Sequence, residues 1–296
     1  MNGIINLYKP PGITSAKAVY KVKQIVKNKV GHAGTLDPEA AGVLPILVGR
    51  ATKFTDYIFS SAKTYIAEIM FGLETATQDA TGEIVRKSGN IPSNKEIADV
   101  LPHFTGEIDQ VPPMYSALKR NGKKLYELAR EGVHLQREAR KVFVNSIELL
   151  GQTSEKSYLL RIVCGKGTYI RTLCEDIGRR LNSAAYMNML IRESVGEMDI
   201  NSSASIEDFS QNPSRFLREP DEFLKSFDAI NAPKALKKRL VNGAKINEDE
   251  FLLKTPLKEN EIFRIYCDNI FIGLSKCERR VLHPVLVYTT HILDTY

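Results

Sequence analysis

Tryptophan is absent from the 296 residues, and no run of about 18 apolar residues occurs that could span a bilayer. The start, MNGIINLYKPPG, lacks the charged opening and apolar core of a secretion signal, so the expected location is the cytoplasm, away from membranes. Four cysteines (Cys164, Cys174, Cys267, Cys277) are widely spaced with no C-x-x-C pair, which argues against a zinc cluster or a disulfide framework. The five histidines (His32, His103, His134, His283, His291) form neither H-x-x-x-H nor H-E-x-x-H, so no metal site is read. The run GKGT at 165–168 is not a nucleotide-binding P-loop, because Leu160 stands where that pattern needs glycine. Internal repeats and low-complexity tracts are also missing.

What is present is the composition of an ordinary globular protein, 43% hydrophobic and 26% charged, at a length that suggests two domains. The net charge of +6 is unevenly spread: residues 1–63 carry +6 and residues 112–141 carry +5, while 64–111 and 197–232 each carry −5. Basic blocks separated by acidic ones can hold a polyanion such as RNA, or can be solvated lysine surface.

Apolar residues at Ala18, Val22, Ile25 and Val26 recur with helical period after a possible cap at Thr14 or Ser15, and the other face carries Lys17, Lys21, Lys23 and Lys27. TYIAEIMF (64–71) and YLLRIVC (158–164) read as strands, and the second leads through a glycine turn into a helix marked by Ile170, Leu173, Cys174, Ile177 and Leu181. Mixed elements without a regular βαβ repeat predict an α+β fold on a mixed or antiparallel sheet. The acidic, turn-rich stretch 197–232 marks a domain boundary, giving 1–232 and a β-rich module at 233–296. Within that module, FRIYC and IFIGL flank Asp268-Asn269, a two-residue connection suited to a hairpin.

The most distinctive stretch is GHAGTLDPEAAGVLP, residues 31–45, an irregular glycine- and proline-rich loop that presents Asp37 before Pro38. Asp37 could cap a helix starting at Pro38, or do chemistry, or both. In CGKGTYIRT, Arg171 falls in the first helical turn, where the macrodipole disfavours a cation. It could point to water, to an RNA phosphate, or to a carboxylate such as Asp37. Tyr65 could be core or could stack on an unpaired base. The stretch QVPPMYSALKRNGKKLYELAREG (110–132) interleaves lysines and arginines with Tyr115 and Tyr126, as either an RNA-contacting insertion spanning about 110–141 or an exposed hairpin.

Five segments in order, NLYKPPGITS, GHAGTLDPEAAGVLP, KTYIAEIMFG, QVPPMYSALKRNGKKLYELAREG and GKGTYIRTL, resemble the TruB-type tRNA pseudouridine synthases. The resemblance implies isomerisation of the T-loop uridine, position 55 of tRNA, to pseudouridine, with the base flipped out and no cofactor. It implies that Asp37 is catalytic, that Tyr65 stacks on the target uracil, and that Arg171 pairs with Asp37. It further implies that His32 holds the extruded loop, that Leu190 (between Met189 and Ile191) lines the pocket, and that Tyr169 belongs to the substrate-binding set. Lys119, Arg120, Lys123 and Lys124 become candidate RNA contacts. PKALKKRLVNGAKI resembles the opening of a PUA-type RNA-binding module. The expected partner is the tRNA T-stem-loop, bound by a monomer without metal or nucleotide cofactor. A non-catalytic RNA-binding protein on the same scaffold is the alternative. A methyltransferase would need a glycine-rich strand-to-helix turn in a doubly wound sheet, which is not found.

Overall fold

The computed structural model describes residues 1–288 except Ala117, Asn121, His134 and Lys254. Its main sheet comprises, in chain order, β1 (Gly3–Lys9), β2 (Val30–His32), β3 (Ala41–Val48), β4 (Lys63–Phe71), β5 (Gly106–Gln110), β6 (Arg140–Ser154), β7 (Ser157–Cys164), β8 (Ala185–Val195) and β9 (Met198–Asp199). Across the sheet the path is β1-β3-β8-β4-β7-β6-β5, with β2 paired to β3 and β9 to β8. The β8–β3 pair is parallel and the other pairs are antiparallel, so the sheet is mixed, as expected.

Strand β4 alternates strictly, burying Lys63, Tyr65, Ala67, Ile69 and Phe71 on one face. Helix α1 (Ser15–Val26) and helix α2 (Ile170–Arg180) cover this side, and Ala18, Val22, Leu173 and Ile177 join Tyr65, Ile69, Phe71 and Leu190 in one core. Thr14 is the α1 cap, accepting from the Lys17 amide, which leaves Ser15 free for another task. Where β3 runs beside β8, Gly42 has φ +109°, and a Cβ there would lie 2.2 Å from the Arg192 carbonyl oxygen. Only glycine lets these two backbones approach so closely.

A second sheet holds β10 (Ala229–Ala232), β11 (Ile246–Asn247), β12 (Ile262–Cys267), β13 (Ile270–Glu278) and β14 (Val281–Val287), in the order β10-β12-β13-β14-β11. Asp268 and Asn269 connect β12 to β13 with φ of 50° and 62°, the left-handed pair that a type I′ hairpin demands. One face of this sheet closes its own core around Ile230, Phe263, Ile265 and Leu282. The other packs on the main unit: the Phe54 ring lies 5.9 Å from Phe271 and 5.5 Å from Tyr288, with Ile58, Val195 and Leu274 in the same cluster. The acidic stretch before it is folded rather than extended, and pairs back on β1 through Ile4 with Arg218 and Leu7 with Ala204. No helix among the described residues is long and apolar enough to cross a membrane.

Candidate active site

Asp37 lies in an irregular loop between β2 and β3, and no helix begins at Pro38. The capping alternative is thereby removed, and the carboxylate turns to Arg171. That side chain donates from Nε to Asp37 Oδ2 at 2.9 Å and from Nη2 to Oδ1 at 3.2 Å, a two-pronged contact joining residues 134 apart in sequence. The Arg171 side chain is 6% exposed and Asp37 34%. The guanidinium is shared further: Nη1 reaches the Thr77 carbonyl at 3.2 Å and Nη2 the Tyr115 carbonyl at 3.0 Å. On its far side Asp79 Oδ2 stands 3.8 Å from Nη1. Asp79 is itself fixed by the hydroxyls of Thr77 and Thr81, each at 2.6 Å from Oδ1. Two carboxylates thus flank one buried cation at the start of α2, where the helix dipole would otherwise oppose it.

A cation alone would lower the Asp37 pKa, but the net shift is upward. Withdrawal from water is the largest cause, Arg171 draws the value back down, and Asp79 adds to the rise. Asp37 is therefore a more basic carboxylate than an exposed one, yet held in a fixed direction.

The loop around Asp37 is held by three buried polar side chains. Lys9, fully buried at the end of β1, donates to the carbonyls of Pro10 (2.9 Å), Ile13 (2.8 Å) and Pro38 (3.0 Å), and burial pushes its pKa down to about 8. Ser15 Oγ accepts from the Leu36 amide and donates to the Leu36 carbonyl, both at 2.9 Å. Arg192, 1% exposed on β8, donates to the carbonyls of Val43 at 2.7 Å and Gly34 at 3.0 Å. Sequence reasoning offered Ser15 only as a possible helix cap and passed over Lys9, Arg192 and Asp79. The signal for Lys9 was a lone charge at the end of an apolar strand, and for Arg192 a charge at an inward position of β8 beside the outward Glu193.

Lys9→Met should loosen this loop while removing no direct contact of the Asp37–Arg171 pair. Losing the buried carbonyl contacts should cost about 2–4 kcal/mol, which for a chain of this size lowers Tm by roughly 5–15 °C. A thermal melt within about 2 °C of the parent would show that the loop is held by other contacts.

The other expected residues converge to different degrees. Tyr65 is 7% exposed and sits opposite Arg192 in the β4–β8 register, with Leu190 opposite Ala67, so Tyr65 and Leu190 share one face. Burial raises the Tyr65 pKa, with Arg192 and Asp37 close enough to contribute. His32, on β2, is half-buried; burial and the Arg192 charge push its pKa down, favouring the neutral ring, and its Nδ1 is a buried nitrogen with no partner among the described residues. Tyr169 precedes α2, and its backbone is gripped by Gln110, which donates to its carbonyl at 3.1 Å and accepts from its amide at 2.8 Å. Gln110 is another residue that the sequence did not mark as part of the site.

In the insertion, Lys119–Arg120 pairs with Lys123–Lys124 as a short ribbon. The side chains of Lys119, Arg120 and Lys124 lie outside the described set. Lys123 is exposed and faces Glu131 at 3.4 Å, so it is already paired to an acid.

The family described as TruB family pseudouridylate synthase (N terminal domain) matches residues 17–170. A tRNA pseudouridine synthase B of Clostridium kluyveri is 44% identical over 278 residues, 93% of this chain and 95% of the relative. Another protein of that name, from Caldanaerobacter subterraneus subsp. tengcongensis, is 40% identical over 288 residues, 96% of this chain and 98% of the relative. The fold is also that of a chain in an H/ACA RNP bound to a substrate RNA containing 2'-deoxyuridine, with a TM-score of 0.75 and 21% identity over 97% of this chain and 84% of that one. A chain of a Cbf5-Nop10-Gar1 complex gives a TM-score of 0.73 at 24% identity, with the same coverage. Matched along nearly its whole length, the chain belongs to the TruB family of pseudouridylate synthases.

Proposed function

We propose that this enzyme converts the T-loop uridine of tRNA, position 55, to pseudouridine, and that Asp37 carries the chemistry. The observation that carries the reading is the Asp37 carboxylate, oriented by a two-pronged contact with Arg171 in a loop braced by Lys9, Ser15 and Arg192.

The reaction breaks the N1–C1′ bond, turns the uracil and joins C5 to C1′, with loss of the C5 hydrogen. Uracil can leave as a resonance-stabilised anion, so one carboxylate suffices where glycoside hydrolysis normally uses two. Asp37 acts ionised, as nucleophile or as base at the sugar. Arg171 orients it and opposes the rise in pKa that the surroundings impose. The target base must leave its stack, which costs a few kcal/mol that stacking on Tyr65 offsets. Tyr65 is supported in this role by its place on the face shared with Leu190, near enough to Asp37 to feel its charge. His32, half-buried on β2 with a ring kept neutral by burial and the Arg192 charge, is assigned to the extruded loop on the family resemblance. Tyr169, the residue before α2, is assigned to the substrate-binding set, and the basic insertion to backbone phosphates through Lys119, Arg120, Lys123 and Lys124.

In this reading residues 1–232 are the catalytic domain and 233–296 a PUA-like module adding RNA affinity, in a cytoplasmic monomer that needs no cofactor. The test is an unmodified tRNA transcript incubated with purified protein and mapped for pseudouridine at every uridine. A single new pseudouridine in the T-loop is expected. Modification in another arm, or none, would overturn the substrate assignment.

A further inference from the structure

The outer face of α1 is open to solvent. No aspartate or glutamate precedes Asp37 in the chain, whereas six lysines do: Lys9, Lys17, Lys21, Lys23, Lys27 and Lys29. Lys9 is buried under the loop; the other five lie on α1 or just beyond its end. While Ala18, Val22 and Val26 face the core, Lys17, Tyr20, Lys23, Gln24 and Lys27 are exposed, and their spacing of three and four places them in one stripe. An ordinary solvated helix face mixes signs, with acids placed to pair at i±4. This one carries no acid, and none of its lysines forms an ion pair among the described residues.

Tyr20 adds an independent feature. It is 55% exposed, with the Lys17 Nζ 5.5 Å from its ring centroid. An aromatic ring kept in water between cations offers a stacking platform beside phosphate-binding charges. The stripe is also anchored to the active site, because Ser15, at the start of α1, is bonded to Leu36, the residue before Asp37. From there twelve helical residues run about 18 Å along the surface.

We propose that this face of α1 is a phosphate-docking ridge that holds the backbone of the RNA helix next to the target uridine. The inference rests on the reading of a structured RNA as substrate and adds a contact surface separate from the basic insertion. Lysines suit this task, since an ammonium group holds phosphate as a point charge and reads no sequence. Lys17, in the first turn of α1, adds its charge to the positive end of the helix dipole close to the Asp37 loop.

The experiment measures equilibrium binding of full tRNA and of an isolated T-stem-loop across a salt series. It compares the parent protein, a triple variant Lys17→Gln, Lys23→Gln and Lys27→Gln, the matching triple change to arginine, and Tyr20→Ala, with thermal melts to establish folding. The glutamine triple should flatten the salt slope by about 2–3, since each duplex phosphate contact contributes about 0.9. The arginine triple should keep the parent slope, and Tyr20→Ala should weaken binding with the slope unchanged, because stacking releases no counterions. Loss on both RNAs is the result expected of contact with the helix beside the target uridine; loss on full tRNA alone would place the contact on another arm and overturn the assignment. A glutamine triple whose slope stays within about 0.5 of the parent overturns it. Pseudouridine formation by the parent protein, followed in parallel, separates failure of the ridge from failure of the functional reading.

Discussion

Asp37→Asn is expected to lower the single-turnover rate of pseudouridine formation by several powers of ten while RNA affinity stays within a few fold. Asparagine keeps the shape of aspartate but supplies neither a nucleophile nor a base, and each power of ten corresponds to about 1.4 kcal/mol of transition-state stabilisation. The fold should tolerate the change. Arg171 retains the carbonyls of Thr77 and Tyr115 and the nearby Asp79 carboxylate, so it is not left unpaired. Residual activity within about tenfold of the parent would remove Asp37 from the chemistry and favour a scaffold that binds RNA without modifying it.

Arg171→Gln should affect rate, pH dependence and stability together. The substitution leaves two carboxylates, Asp37 and Asp79, facing each other across the space of a lost buried cation. Breaking a buried pair is costly, and because Asp37 is 34% exposed the loss should fall near the lower end, about 3 kcal/mol. The pH effect has a definite sign. Asp37 must be ionised to act, and its folded pKa already lies above the ordinary value, with Arg171 as the main downward influence. The acid limb of the pH–rate profile should therefore start above the usual carboxylate range in the parent and move to still higher pH in the variant. A fall in rate with an unmoved acid limb would mean that Arg171 positions RNA or the loop rather than the carboxylate.

Much of the local structure could be read from the sequence because its signals are local. A short run rich in β-forming residues announced the strand holding Tyr65, a glycine turn and helical period announced the helix that carries Arg171, and Asp268-Asn269 announced the hairpin, with both residues in the left-handed region that its geometry needs. The Asp37 loop was legible as irregular, but a dipeptide Asp-Pro fits a helix start equally well, and only the partner 134 residues away decides between them.

What escaped the reading depends on tertiary contact. Asp79 sits in an acidic stretch that looks like solvated surface, and it matters only because Arg171 arrives beside it. Gln110 resembles any strand-end glutamine until its amide is seen gripping the backbone of Tyr169. The stretch 197–232 has the composition of a linker, yet its backbone pairs with the edge of β1, because that edge offers unpaired amides and carbonyls. Likewise the last sheet is not a freely tethered module: Phe271 and Tyr288 bury the Phe54 ring, so removing the tail would expose apolar surface on the main unit.

The most direct measurement uses an unmodified T-stem-loop labelled with tritium at uracil C5, incubated with excess purified protein and no added cofactor. Joining C5 to C1′ expels the C5 hydrogen, so label release counts turnovers at the target base. Release equivalent to one uridine per RNA, with pseudouridine at the T-loop position, is expected from the parent protein, and none above background from Asp37→Asn bound to the same RNA. Equal release by both proteins, or no release by a parent that binds the RNA tightly, would contradict the assignment of Asp37 to this reaction.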